Sequence, residues 1–378
     1  MNRVASSAPQ PLTIRGVTTR AFAAPLNFAL GTSVTVIRTA PLLLVDVHTE
    51  EGIVGRAYLF SYTNAGAKAV ALLLTEAVEL VKGQPATPQA IYGTLVRRLA
   101  LLGVTGPVRM AISALDIALW DAAAIAAGLP LAELLGARRR AIPAYDSRGL
   151  GLMRPESLAD EAQALLADEA QALLADAMRA IKLRLGHPTL GEDLAALRAV
   201  RGAIPGEIGV MVDYNQALTP AEAIRRGRAL EAEGIAWLEE PVRHDDYRGN
   251  AKIARTLDVP LQIGENFNGP EAMAEALAAG ACDYVMPDVG RIGGITGWMQ
   301  AAGIAAAHGI EMSSHLVPEV SVHLLAATPT AHWLEYVDWG DAILEEPLPA
   351  IDGTATPSAR PGVGLAWDEA KLEGLDAL

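Results

Sequence analysis

Residues 208–240 read IGVMVDYNQALTPAEAIRRGRALEAEGIAWLEE. A short β-rich run ends on Asp213, an Ala/Leu/Glu/Arg-rich amphipathic stretch follows, and a second apolar run ends on Glu239. Strand, helix, strand within about 30 residues is one unit of parallel sheet, because parallel neighbours need a crossover connection of a dozen residues or more. Working outward, the same rhythm recurs in eight runs: AIPAYDS (141–147), AIKLRLG (180–186), IGVMVDYN (208–215), IAWLEEP (235–241), LQIGEN (261–266), YVMPDV (284–289), IEMSSH (310–315) and WLEYVDW (333–339). Eight units in about 200 residues fit an α/β fold of the TIM type, a (β/α)7–8 barrel with either the full set of helices or one fewer.

Residues 1–140 have another rhythm. TAPLLLVDVHTEEGIVGRAYLF (39–60) reads as two strands joined by a turn at Glu50, Glu51 and Gly52. From Ala67 to Leu102 and from Val108 to Ala127 the pattern is helical. Strands followed by helices indicate an α+β N-terminal capping domain. The expected organisation is capping domain 1–140, barrel 141–340, and a Pro/Gly-rich segment 341–378 packed back on the cap. Within the barrel, ADEAQALL occurs twice in tandem, at Ala159–Leu166 and Ala167–Leu174. Eight extra residues amount to about two helical turns, a duplication that lengthens the helix after the first barrel strand.

Composition excludes several classes. Half of the 378 residues are apolar (51%), enough for a large core. The net charge of −14 argues against a nucleic-acid partner, and Arg138, Arg139 and Arg140 read as a solvated turn. Apolar stretches are interrupted before the roughly 20 residues of a membrane span, so no membrane partner is expected. The N-terminal residues contain no apolar signal region, so a cytoplasmic location is expected. Cys282, the single cysteine, lies in an apolar run and reads as a buried free thiol.

Catalytic groups of a parallel barrel converge from the C-terminal ends of its strands. Asp213, Glu239, Glu265, Asp288, His315 and Glu335 fall near those ends in six consecutive runs, separated by 26, 26, 23, 27 and 20 residues. One acid after a strand is ordinarily a helix cap or a solvated charge; six groups in register are harder to dismiss. Three carboxylates on adjacent strands, Asp213, Glu239 and Glu265, make a hard-oxygen site suited to Mg²⁺ or Mn²⁺. Zinc fits less well, because no pair of Cys or His accompanies them. Asp288 on the strand beside His315 is placed to fix its tautomer and raise its pKa, which tunes a general base. Lys182 and Arg184, two residues apart on one strand, point the same way and suit binding and activation of a substrate carboxylate.

This order of residues resembles the mandelate racemase group of the enolase superfamily. The likeness is carried by MVDYNQAL, LEEPV, GENFNGPE, MPDVGRIGGITGW, MSSHL and HLLAATPTAHWLE, and by TAPLLL and YLFSYT in the cap. It implies Mg²⁺ on Asp213, Glu239 and Glu265, and removal of the α-proton of a small 2-hydroxy carboxylate through an enediolate. Lys182 would hold the substrate carboxylate, and His315, oriented by Asp288, would be the base. Glu335 would be a protonated acid donating to the enediolate. Ser147 and Asn215 resemble further contacts to substrate or metal. The family's substrate cage lies on a mobile loop of the cap, here NFALGTSVTVIRTAP (27–41), with Leu30, Ile37, Phe60 and Tyr62 as candidate wall residues. Homo-oligomers, often octamers, are expected on the same ground.

The resemblance first implies a racemase of the mandelate type. One departure weighs against it: Arg184 stands where the racemase pattern has a second lysine, the base on the opposite face. A guanidinium stays charged and suits carboxylate binding better than proton abstraction. Racemisation needs a base on each face, whereas β-elimination needs one. The alternative is therefore a dehydratase of sugar acids or hydroxy-diacids using His315 alone. A non-catalytic binding protein on the same fold is disfavoured, because every acid and the Asp288–His315 pair are present.

Overall fold

The structure is a computed structural model that describes residues 11–33, 35–171 and 178–378. The cap is an antiparallel sheet of β1 (Ile14–Gly31), β2 (Val36–Thr49) and β3 (Val54–Phe60), backed by α1 (Asn64–Val81), α2 (Pro88–Arg98) and α3 (Gly106–Ala127). The β2–β3 turn falls at Glu50–Gly52, as its sequence indicates, with Gly52 at φ +85°. The Ala67–Leu102 stretch is helical in two segments, broken after Val81. Thr63 starts α1 by accepting a hydrogen bond from the Gly66 backbone. Helix α3 is apolar on nearly every side because it is clamped between the sheet and the barrel. Gly55 permits that approach: a Cβ there would lie 1.9 Å from the Ala118 carbonyl oxygen.

The expected cap loop 27–41 is instead the end of a long hairpin. Leu30 pairs with Ile37 and Gly31 with Val36, leaving only the tip between the strands. Alternation across this region is blurred by partial burial on both faces, which is why its sequence does not read as strand.

The barrel strands are β4 (Ile142–Asp146), β5 (Ala180–Arg184), β6 (Gly209–Asp213), β7 (Leu238–Glu239), β8 (Leu261–Ile263), β9 (Tyr284–Val285), β10 (Glu311–Met312) and β11 (Leu334–Tyr336), one in each predicted run. They are parallel and hydrogen-bonded in chain order, and β11 pairs with β4. Backbone bonds from Met312, His332 and Ser314 close the ring between β10 and the approach to β11. Among the described residues seven α-helices lie between successive strands, and β11 is followed only by a 3-10 turn, Trp339–Ala342. The barrel is thus one helix short of eight. Of the tandem ADEAQALL copies, Ala159–Leu166 lies in the helix Pro155–Gln171, and the end of the second copy falls outside the described residues.

The tail contacts both units. Residues 350–355 form a small hairpin whose second strand pairs with β4, and Asp376–Ala377 extends the cap sheet beside β1. Trp367 Nε1 donates to Asp46 on β2. Cys282 is buried and unpaired in a disulfide.

Side-chain alternation along the strands sorts the barrel interior into layers. Tyr145, Ala180, Met211 and Trp237, with Trp333 against them, form an apolar floor. Two residues further along four of those strands stand Lys182, Asp213, Glu239 and Glu335. The intervening Ile181, Val212, Leu238 and Leu334 point outward into the main core under the helices, and so does Leu183. Leu183 therefore faces away from Lys182 and Arg184.

The hairpin of the cap rests directly on the barrel mouth. Leu152 N donates to Gly31 O at 2.9 Å, and Ser33 Oγ donates to Asn215 O at 2.9 Å. A Cβ on Gly151 would lie 2.2 Å from the Gly31 nitrogen, so only glycine admits this contact. Gly151→Ala should push the hairpin off the barrel and cost about 1–3 kcal/mol, the usual range for overpacking. Urea unfolding and amide exchange across Leu30–Ile37 would measure this; unchanged stability with unchanged protection would contradict it.

Candidate active site

The six predicted acid and histidine positions all converge at the barrel mouth, but not all at strand termini. Asp213 and Glu239 end β6 and β7 and are register partners, side by side. Glu265, Asp288 and His315 lie two or three residues beyond their short strands, and an isolated parallel bridge between Asp288 and His315 continues the sheet there. Glu335 is in the middle of β11. All six are buried.

The chain bends sharply just past these groups. Asn215 (φ +42°), Gln216 (+67°), Glu240 (+39°), Leu316 (+51°) and Val317 (+45°) take the left-handed conformation after Asp213, Glu239 and His315. Asn tolerates this region, but Val317 is β-branched and strained there. The bends let backbone amides reach back: Asn215 N donates to Asp213 at 2.7 Å, and Leu316 N to Glu335 at 2.9 Å.

Asp213, Glu239 and Glu265 each offer an oxygen within 4.8 Å of the others. Lys182 Nζ lies 2.7 Å from Glu239, 2.5 Å from Glu335 and 3.8 Å from Asp213. Burial opposes its charge, but Glu239 and Glu335 overcome that and hold Lys182 protonated. One ammonium does not neutralise the cluster. Burial, reinforced by the Glu239 charge, pushes Asp213 up to about 7. A buried carboxylate set with surplus negative charge and all-oxygen donors fits a hard divalent cation, Mg²⁺ foremost.

His315 bridges two acids. Nδ1 is 2.7 Å from Asp288 Oδ2, and Nε2 is 3.1 Å from Glu265 Oε2. Burial disfavours the charged ring, yet Glu335 and Glu265 outweigh it and push His315 up to about 10. The reciprocal effect carries Glu265 down to about 2 against its own burial.

Glu335 departs from its expected role as a protonated donor. Its carboxylate accepts from Ser147 Oγ at 2.7 Å, from Leu316 N and from Lys182. Burial alone would raise its pKa, but the charges of Lys182 and His315 hold it well below the usual range, so here it is ionised. Ser147 is likewise a connector: it donates to Glu335 and accepts from Arg184 Nη2 at 2.6 Å. Arg184 Nη1 donates to the Gly149 carbonyl at 2.7 Å. Both terminal nitrogens of that guanidinium are thus anchored to protein oxygens.

Above the charged layer is a cavity of about 480 Å³ lined by Lys182, Arg184, Asp213, Asn215, Glu265, His315 and Glu335, with Leu30, Ile37 and Tyr62 from the cap. Phe60, expected on this wall, stands behind it, packed 4.7 Å from both Tyr62 and Trp339. Glu239 is shielded beneath Lys182. Gln216, Asn266, Arg291 and Trp339 also line the cavity and are not among the sequence candidates. Asn266 and Arg291 lie within GENFNGPE and MPDVGRIGGITGW, but no spacing rule distinguishes them from ordinary loop residues.

Residues 14–136 match the family Mandelate racemase / muconate lactonizing enzyme, N-terminal domain, and residues 165–371 match the family Enolase C-terminal domain-like. The chain belongs to the mandelate racemase group of the enolase superfamily. It is 34% identical over 328 residues to an L-talarate/galactarate dehydratase of Salmonella typhimurium, covering 87% of this chain and 81% of the relative. An enolase from alpha pretobacterium bal199, solved with bound Mg, superposes with TM-score 0.92 and 42% identity over 97% of this chain and 100% of that one. An enolase from Bradyrhizobium, complexed with magnesium and mandelic acid, superposes with TM-score 0.88 and 41% identity over 97% and 98%. Magnesium in these superfamily members agrees with the oxygen donor set found here, and the cofactor of this enzyme is Mg²⁺.

Replacing Glu239 by Gln removes one of the three charges and should weaken Mg²⁺ binding at least ten-fold in calorimetric titration. An unchanged affinity would place the metal elsewhere.

Proposed function

We propose that this enzyme is a Mg²⁺-dependent dehydratase of hydroxy acids, acting on sugar acids with His315 as its single base. The observation that carries this reading is the anchoring of Arg184. Its terminal nitrogens are committed to Gly149 O and Ser147 Oγ, so the face opposite His315 has a fixed cation and not a base. The Salmonella relative's activity as a dehydratase of sugar diacids supports the same reading.

The roles follow from position. Asp213, Glu239 and Glu265 hold Mg²⁺, which supplies Lewis-acid stabilisation of negative charge on the substrate carboxylate. Lys182 lies beside that charge and adds to its stabilisation. Asn215 is placed to contact the substrate or the metal's surroundings, and Leu30, Ile37 and Tyr62 close the apolar side and exclude water. His315 Nε2 takes the α-proton, while Asp288 fixes the ring through Nδ1. The electron pair of the broken C–H bond enters the carboxylate as an enediolate. It then forms the C2–C3 double bond as the C3–O bond breaks, and His315 returns its proton to the departing hydroxyl, which leaves as water. The resulting enol tautomerises to a 2-keto-3-deoxy acid. Asp288 Oδ2, 2.7 Å from Nδ1, supports the charged ring that exists between the two proton transfers.

The racemase reading draws on the apolar cap residues and on the Bradyrhizobium neighbour's mandelic acid. The two readings differ in product: a racemase conserves substrate mass, whereas a dehydratase forms a keto acid. His315→Asn should cut keto-acid formation by about 10²–10⁴-fold, the contribution typical of general base catalysis, while Mg²⁺ binding persists. Substantial turnover by that variant would remove His315 from the chemistry.

A further inference from the structure

Arg291 is a cavity-lining cation that the proton transfers leave unused. It follows β9, and β9 is four strands round the eight-stranded barrel from β5, which carries Lys182 and Arg184. The cavity therefore has cations on two opposite walls, both named in its lining. Arg291 is fixed in place rather than trailing into solvent. Its backbone nitrogen donates to Asp288 O at 3.0 Å, its carbonyl accepts from Gly269 N at 3.1 Å, and its guanidinium lies 5.3 Å from the centre of the Tyr62 ring. Nη1 donates to Asn266 Oδ1, a neutral acceptor. Asn266 is itself steered by its Nδ2 bond to Glu265.

Among the described residues no carboxylate lies within ion-pair distance of Arg291. Every other arginine and lysine lining this cavity has its nitrogens held by protein oxygens: Lys182 by Glu239 and Glu335, Arg184 by Gly149 and Ser147. Arg291 has one such bond, and the remaining edge of its planar fork is free. A largely buried guanidinium paired with one amide oxygen and an aromatic face is a receptor for an anion, and a carboxylate matches its geometry bidentately. An apolar substituent against the same edge would leave the charge desolvated and unpaired, which is costly.

We propose that Arg291, set by Asn266 and Tyr62, recognises a second carboxylate at the far end of the substrate, so that the enzyme selects hydroxy-diacids over monoacids of the same chain length. The proposal rests on the dehydratase reading for its substrate class but is testable by binding alone. The wild type and Arg291→Gln would be assayed for keto-acid formation from galactarate and from galactonate. The same pair would then be titrated calorimetrically into Mg²⁺-loaded His315→Asn and His315→Asn/Arg291→Gln.

The expected result is galactarate binding at least ten-fold tighter than galactonate in His315→Asn, with the preference abolished by Arg291→Gln and galactonate binding unchanged. Arg291→Lys should restore part of the preference, which a merely structural role for Arg291 would not allow. Equal affinity for the two acids, or an equal loss for both on Arg291→Gln, would overturn the proposal. A diacid preference in binding without keto-acid formation by the wild type would leave Arg291 as the selector and overturn the dehydratase reading instead.

Discussion

The structure depends on keeping five ionisable acids, Asp213, Glu239, Glu265, Asp288 and Glu335, buried around one barrel mouth. Removing charges from water costs roughly several kcal/mol per ion even after relaxation. Lys182 and His315 offset part of that cost. Each touches acids from more than one strand, so together they tie β5, β6, β7 and β11 to the loops after β8 and β9. The remainder falls on Asp213, which burial and Glu239 lift to about 7. The unfavourable charge that a protein core would otherwise avoid is what gives the site its demand for a divalent cation.

Rigid placement comes from below and above. The apolar floor of Tyr145, Met211, Trp237 and Trp333 fixes the strands, and the alternation of side chains sets the charged layer one step higher. Trp237 Nε1 donates to Glu239, joining floor to site. The cap closes the top through Gly31 against Gly151 and Ser33 against Asn215, so the cavity is walled by residues from both halves of the chain. The positive-φ residues after Asp213, Glu239 and His315 are the strain by which short strands turn their last side chains into one space.

Much of this was legible in the sequence because period-two alternation and strand–helix rhythm are local properties. The eight strands fall in the eight quoted runs, and the acids occupy the mouth their spacing implied. The hairpin at 27–41 was not legible: its residues are half-buried on both faces, so neither a strand nor a loop pattern stands out. Phe60 was read as a wall residue, yet β3 ends at Phe60 and the chain turns before Tyr62, so Phe60 packs against Tyr62 and Trp339 behind the wall. Glu335 was expected protonated, and only the three-dimensional approach of Lys182, Ser147 and the Leu316 amide shows why it is ionised. Arg291 was invisible for a related reason, since an unpaired cation is defined by what does not surround it.

The central claim is that proton abstraction runs on one face only. Proton NMR in D₂O with Mg²⁺ tests it directly, offering both enantiomers of mandelate and then a panel of sugar acids and diacids. One-sided chemistry through His315 predicts α-proton exchange in a single configuration at most, with a sugar acid or diacid converted to a keto acid. Loss of the α-proton signal from both mandelate enantiomers would contradict it, and would mean that a second base works on the Arg184 face.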